Sequence, residues 1–81
     1  MTVSVHFYSW FKELAGCGQT VEQLPANATV GDLVSRLHTR FPKLAKVERS
    51  ALIAVGVDYA SRDQPLKEGD EVSLFPPVQG G

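Results

Sequence analysis

The residues of this 81-residue chain that could do chemistry stand at its C-terminal end, which reads Phe75-Pro76-Pro77-Val78-Gln79-Gly80-Gly81. Because glycine has no Cβ, another protein can close tightly around the backbone of the last two residues. The two prolines fix φ and favour an extended course away from the body. We therefore expect a domain at 1–76 and a flexible tail at 77–81, whose terminal carboxylate at Gly81 is worked on inside another protein's active site.

The other reactive side chains favour a carrier over a catalyst. Cys17 lies between two glycines, with no basic neighbour in sequence to activate its thiol, so a reactive role is not expected. His6 and His38 lack metal-ligand spacing. The sequence contains no recognisable pairing of nucleophile and base and no glycine-rich phosphate loop. We expect no metal site and no bound cofactor.

Composition indicates one small domain. The chain is long enough for a single core, and its hydrophobic fraction of 43% is ordinary. A net charge of −1 gives no basic excess, so neither a nucleic acid nor a membrane is expected as partner. The longest apolar run, at 51–57, is far below the ~20 residues that cross a bilayer. With one cysteine and no secretory signal pattern, we expect a cytoplasmic protein.

Two periodic patterns predict the first half of the fold. Residues 3–8 alternate apolar and polar, which is typical of a half-buried strand. Ser9 is interpreted as the N-cap of a short helix at 10–15, in which Trp10 serves packing. A strand at 20–24 then returns beside the first. The clearest element is a helix after Thr29, with a capping box and an apolar stripe made by Val30, Leu33, Val34, Leu37 and Phe41.

The second half supplies further strands. A polar connection at 43–50, anchored by Leu44 and Val47, leads to an apolar strand at 52–55. A turn at 56–58 enters a short strand, and a last strand follows at 71–75. One amphipathic helix covering one mixed sheet predicts an α+β fold in two layers. We interpret it as the ubiquitin-like β-grasp arrangement, with the first and last strands as central neighbours. On the long helix, Arg36 and Arg40 are expected on the solvated face.

The last strand carries a phenylalanine on its solvent face. Val72 and Leu74 share the core face, so Phe75 points the other way, and Tyr8 takes the corresponding face of the first strand. An exposed aromatic pair beside the tail favours a docking surface, although Phe75 folded over the sheet edge within the monomer is the alternative. The predicted partner-binding residues are Tyr8, Tyr59, Phe75, Pro76, Pro77, Val78 and Gln79.

Over essentially its whole length the chain resembles the MoaD-type small, sulfur-carrying subunit of molybdopterin synthase. Three stretches carry the resemblance: Val5-His6-Phe7-Tyr8 running into Lys12-Glu13-Leu14-Ala15-Gly16; Thr29-Val30-Gly31-Asp32-Leu33; and Pro65-Leu66-Lys67-Glu68-Gly69-Asp70-Glu71-Val72 leading to the C-terminal sequence. Gly56 stands where the family often has Asn, so any bonding role of that amide is lost. Lys12 replaces a more usual Arg.

The resemblance implies a chemistry for the tail. The site residues would be Gly80 and Gly81. A MoeB-like adenylating enzyme would use ATP to convert the Gly81 carboxylate to an acyl adenylate, and sulfur transfer would then give a thiocarboxylate. The tail would then enter a MoaE-like large subunit, in a heterotetramer, and deliver sulfur to cyclic pyranopterin monophosphate to form molybdopterin. This chain would be a non-catalytic subunit, with the catalytic groups on the large one.

Three other functions stay open at this point. A ThiS-type carrier for thiazole synthesis uses the same tail chemistry, but such chains are usually shorter and lack Pro-Pro-Val before Gly-Gly. A ubiquitin-like modifier would join Gly81 to protein lysines through the same activated intermediate. In a purely structural adaptor the tail would have no role.

Overall fold

Strands and helices follow one another in the predicted order. The computed structural model describes residues 1–46 and 51–77, and the fold described here is that of these residues. The strands are β1 (Thr2–Phe7), β2 (Gln19–Gln23), β3 (Leu52–Val55), β4 (Asp58–Tyr59) and β5 (Glu71–Phe75). The helices are α1 (Phe11–Ala15) and α2 (Val30–Arg40), and a short 3₁₀ helix follows at Pro42–Lys46. The structure confirms the predicted α+β class.

These strands form a mixed sheet in the order β2-β1-β5-β3-β4. β1 and β5 run parallel, with Val5 opposite Val72 and Phe7 opposite Leu74. The pairs β1–β2, β3–β5 and β3–β4 are antiparallel. The predicted adjacency of the first and last strands is therefore confirmed, and it brings the end of β1 beside the end of β5, where the tail begins.

Helix α2 covers one face of the sheet. Its start is fixed by the predicted capping box: the Asp32 N–H donates to Thr29 Oγ1 at 3.3 Å, and the Thr29 N–H donates to Asp32 Oδ2 at 2.9 Å. The predicted apolar stripe is buried from Val30 to Leu37, and Phe41 packs partly buried against the same core. The sheet contributes buried side chains to this core from its facing side: Val3, Val5, Phe7, Ile53, Val72 and Leu74.

The prediction that Ser9 caps α1 is wrong. Ser9 has a φ of 57°, in the left-handed region, whereas an N-cap residue is typically extended. Trp10 is the N-cap residue, and no side chain caps the helix. The Phe11 N–H donates to the Tyr8 carbonyl at 3.2 Å, so the chain leaves β1 through a tight turn. Gly16, with a φ of 78°, ends the helix as expected.

The sequence did not predict the burial of Glu22 on the core side of edge strand β2. Arg40 forms an ion pair with the Glu22 carboxylate, and it also donates to the Val21 carbonyl at 3.2 Å and to Thr20 Oγ1 at 3.0 Å. A buried carboxylate is costly unless a cation pairs with it. Arg40 therefore ties the end of α2 to β2 and is engaged within the domain, whereas Arg36 is exposed as expected.

The remaining predictions fall on the second half of the chain. Leu44 is buried as an anchor, whereas Val47 lies outside the described residues. Ile53 and Ala54 point to opposite faces of β3 and both are buried, although only the face of Ile53 is covered by α2. Gly56 turns the chain into β4 with a φ of 64°, which glycine adopts without strain. No helix in the part of the chain that the structure describes is both long and apolar enough to cross a membrane.

Candidate functional site

The sheet face opposite α2 is polar along its β1–β5 centre. Ser4 lies opposite Glu71 and His6 opposite Ser73 in the parallel pairing. His6 Nε2 lies 3.5 Å from Glu71 Oε1, and the Glu71 side chain is exposed. This half of the face carries short polar and charged groups, which water solvates well.

Toward β3 and β4 the same face becomes apolar. Leu52 lies opposite Phe75, and Ala54 lies opposite Tyr59. Tyr59 is 74% exposed, so the edge strand leaves its ring largely uncovered. The apolar half therefore begins at the end of the sheet from which the tail leaves.

Tyr8 and Phe75 meet at that end, as predicted. Their rings are stacked, with centroids 4.8 Å apart and an interplanar angle of 14°. The Tyr8 N–H donates to the Leu74 carbonyl at 3.1 Å, which extends the β1–β5 pairing by one residue. Tyr8 is 43% exposed and Phe75 is partly buried against it. Each ring is thus partly covered by the other, and part of the Tyr8 ring remains accessible to a partner.

The two rings belong to a groove at the root of the tail. Its walls come from the end of β1, the start of α1, β3, β4 and the end of β5. It contains aromatic and aliphatic surface and hydroxyl groups but no charged side chain, which is the composition of a protein interface core. We call it the tail-root groove, and the residues lining it are Tyr8, Ser9, Trp10, Leu52, Tyr59, Phe75, Pro76 and Pro77.

The tail-root groove contains all the predicted partner-binding residues that the structure describes. Val78, Gln79, Gly80 and Gly81 lie outside the described residues, and most of the predicted tail at 77–81 lies there with them. Sequence reasoning missed Trp10, which lines the groove instead of serving packing alone. A signal was present, because Phe11 already supplies the buried aromatic ring of α1.

The other candidate residues lie elsewhere. Cys17 is partly buried and packs against the core. His6 is on the polar half of the open face, and His38 is on α2. Within residues 1–46 and 51–77, no group of three His, Cys, Asp or Glu side chains is arranged to hold a metal ion. The groove suits docking of a protein better than chemistry on a small molecule.

Sequence comparison identifies relatives over nearly the whole chain. The sequence profile of the ThiS family matches residues 5–81. The molybdopterin synthase sulfur carrier subunit of Dictyostelium discoideum is 34% identical over 73 residues, which cover 86% of this chain and 85% of that protein.

Solved structures share the fold. A proposed molybdopterin converting factor subunit 1 of Pyrococcus furiosus superimposes with a TM-score of 0.89 at 34% identity, over 96% of this chain and 99% of that one. SAMP1 of Haloferax volcanii gives 0.89 at 26% identity over the whole of both chains. A chain in the complex of subunits 1 and 2 of the Helicobacter pylori molybdopterin-converting factor gives 0.73 at 26%, again over both whole chains. The predicted β-grasp fold is therefore confirmed.

Proposed function

Because this chain belongs to the ThiS family and is of the MoaD type, we propose that it carries sulfur for molybdenum cofactor synthesis as the small subunit of molybdopterin synthase. The observation that carries the proposal is the tail-root groove: an uncharged aromatic surface that continues into Pro76 and Pro77. Such a surface lets a partner hold the domain while it works on the end of the tail. The names of the relatives supply the identity of the cargo.

The first step of the proposed chemistry activates the tail. On a MoeB-like adenylating enzyme, a Gly81 carboxylate oxygen attacks the α-phosphorus of ATP, and pyrophosphate leaves. A carboxylate is a poor electrophile, whereas the acyl adenylate has AMP as a good leaving group. A sulfide-level donor then attacks the acyl carbon and displaces AMP, which leaves a thiocarboxylate on Gly81.

The second step delivers the sulfur. The tail enters the active site of a MoaE-like large subunit, where the thiocarboxylate sulfur attacks a carbon of cyclic pyranopterin monophosphate and displaces an oxygen substituent. Water then hydrolyses the acyl–sulfur bond, which leaves the sulfur on the pterin and regenerates the Gly81 carboxylate. Two sulfurs are needed for each dithiolene, so two charged carriers are used in turn, and we propose a heterotetramer as the assembly. The complex of subunits 1 and 2 from Helicobacter pylori supports the pairing. This chain supplies the sulfur and the docking surface, and the large subunit supplies the acids and bases.

Deletion of Gly81 tests this function. The reacting atom has to sit at a fixed distance from the docked domain, and small misplacements are costly to rate. In a reconstitution with the MoeB-like enzyme, ATP, a sulfide donor and the large subunit, the shortened chain should form no molybdopterin while its melting temperature is unchanged. A chain lengthened by one residue after Gly81 displaces the reacting atom in the opposite direction and should also form no molybdopterin. Normal molybdopterin formation by either variant refutes the proposal.

A ubiquitin-like modifier is the second candidate. It is favoured by the full-length likeness to SAMP1, a small archaeal modifier protein. Immunoblots of cells that express the chain would show conjugates of higher mass, resistant to reducing agents, if Gly81 is joined to lysines. A ThiS-type role in thiazole synthesis uses the same activated tail, and complementation of a strain that lacks its thiazole carrier separates it from the main proposal.

A further inference from the structure

Trp10 is held in place and yet leaves much of its ring uncovered. Its ring packs edge-on against Phe11, with centroids 4.8 Å apart and an interplanar angle of 89°. Phe11 itself is buried in the core, whereas Trp10 is 40% exposed. An exposed aromatic ring that is already anchored loses little conformational freedom on binding, which favours affinity.

The backbone before Trp10 is strained. Ser9 lies in the left-handed region with a φ of 57°, a conformation that is unfavourable for residues other than glycine. The turn at Ser9 lets Phe11 reach the core while Trp10 stays beside Tyr8 in the tail-root groove. Strain of this kind concentrates where the backbone geometry serves a function.

The position of the groove limits what can lie over it. Pro77 lines the groove, and Gly80 and Gly81 stand three and four positions after it in the sequence. Even when fully extended, four residues reach only about 13 Å. A protein that closes around the last two glycines therefore has to bring its own surface to the groove. Because the lining carries no charged side chain, the matching surface is apolar and uncharged.

We propose that Trp10 is a partner-binding residue that packs against an apolar side chain of the MoaE-like large subunit in the tail-root groove. This inference rests on the proposed function and adds a third aromatic ring to the stacked pair of Tyr8 and Phe75. Trp10 forms the wall on the α1 side, so its loss leaves the stacked pair open on that side. Tryptophan and tyrosine are the residue types most enriched among interface residues of large binding effect.

The direct test uses Trp10 as its own probe, because it is the single tryptophan of the chain. The carrier is produced with fluorotryptophan and mixed with the unlabelled MoaE-like large subunit. The fluorine resonance should shift on binding, and its exposure to a soluble paramagnetic quencher should fall. If the complex forms and both quantities stay as in the free carrier, the inference is overturned.

Variants separate this inference from the proposed function. Trp10→Ala should raise the Kd for the large subunit about tenfold or more. Trp10→Phe should keep most of the affinity, and it covers the case in which the alanine variant folds poorly. Val57→Ala, at a position that is 98% exposed outside the groove lining, should change nothing.

The outcomes are distinct. If Trp10→Ala is folded and binds as tightly as the wild type while deletion of Gly81 still abolishes sulfur transfer, Trp10 has no such role and the proposed function stands. If the wild-type carrier does not bind the large subunit, the proposed function is refuted and this inference with it.

Discussion

Phe7 and Tyr8 are neighbours in the chain, but they belong to opposite faces of the sheet and to different environments. Phe7 is buried and packs edge-on against Phe41, with ring centroids 5.5 Å apart. Tyr8 stacks on Phe75 and remains partly exposed in the tail-root groove. Two aromatic side chains of similar size thus differ in role. Phe7 contributes mainly to the stability of the fold, whereas Tyr8 contributes to a surface that a partner can bind. Stability and association should therefore be separable by mutation.

The groove also differs from the polar half of its own face. An apolar concavity on the surface of a small domain marks a site where something binds. The close contact of His6 with the exposed Glu71 carboxylate, by contrast, belongs to a polar surface. The contrast favours our proposal that the partner docks over the β5–β3–β4 side and the start of α1, which is where the chain enters its tail.

Phe7→Ala gives the largest expected effect on the core side of this comparison. Removal of a fully buried aromatic side chain leaves a cavity, and the free energy of unfolding should fall by about 3–5 kcal/mol. Tyr8→Ala, one residue away, should cost less, about 1–2 kcal/mol, because it removes the stacking on Phe75 and the burial of only part of a side chain that is 43% exposed. Urea denaturation of both variants measures the difference. Equal losses in the free energy of unfolding for the two variants would mean that Tyr8 is as much a core residue as Phe7.

Phe75→Arg gives the corresponding effect on the groove side. An arginine beside Tyr8 places a charge in an apolar interface, and binding to the large subunit should weaken by about 2 kcal/mol or more. The melting temperature should fall by several degrees without loss of the fold, because the ring is not fully buried and its removal costs mainly the stacking on Tyr8. Calorimetric titration and thermal denaturation are the two measurements. A variant that unfolds assigns Phe75 to the core, whereas unchanged stability and affinity move the docking site elsewhere.

Replacement of Pro76-Pro77 by Gly-Gly should have the smallest effect. More conformers of the tail must be restricted on binding, so affinity should fall by about 1 kcal/mol. The core does not depend on these residues, so thermal denaturation should be nearly unchanged. A large drop in melting temperature with unaltered affinity would show that the prolines form a structural turn of the domain instead of a spacer.

The elements that the sequence predicted well are those that local interactions determine. The capping box of Thr29 and Asp32 and the apolar stripe of α2 lie within a few residues of one another, so periodicity alone locates the helix. Strict alternation located β1 and β5 in the same way. The stacked rings of Tyr8 and Phe75 required one further inference, that these two strands are neighbours, and the topology bears it out.

The features that were missed depend on contacts that are distant in sequence. The burial of Glu22 requires Arg40 from the far end of α2, a pairing that no local pattern shows. Ser9 fits an N-cap by residue type, but the turn out of β1 places it in the left-handed region. The same turn sets the position of Trp10. Its place in the lining of the tail-root groove is therefore visible only in the folded structure. Sequence reasoning therefore named most of the residues that line the tail-root groove, but not its wall on the α1 side.

The central claim is that this chain carries sulfur on its last residue, and the intact mass of the protein tests it most directly. The carrier is incubated with the MoeB-like enzyme, ATP and a sulfide donor, and a parallel sample lacks ATP. We expect the complete mixture to add the mass difference between one sulfur and one oxygen, with fragmentation assigning the change to Gly81. An unchanged mass in the complete mixture, from a folded carrier and an enzyme shown to be active, would contradict the account.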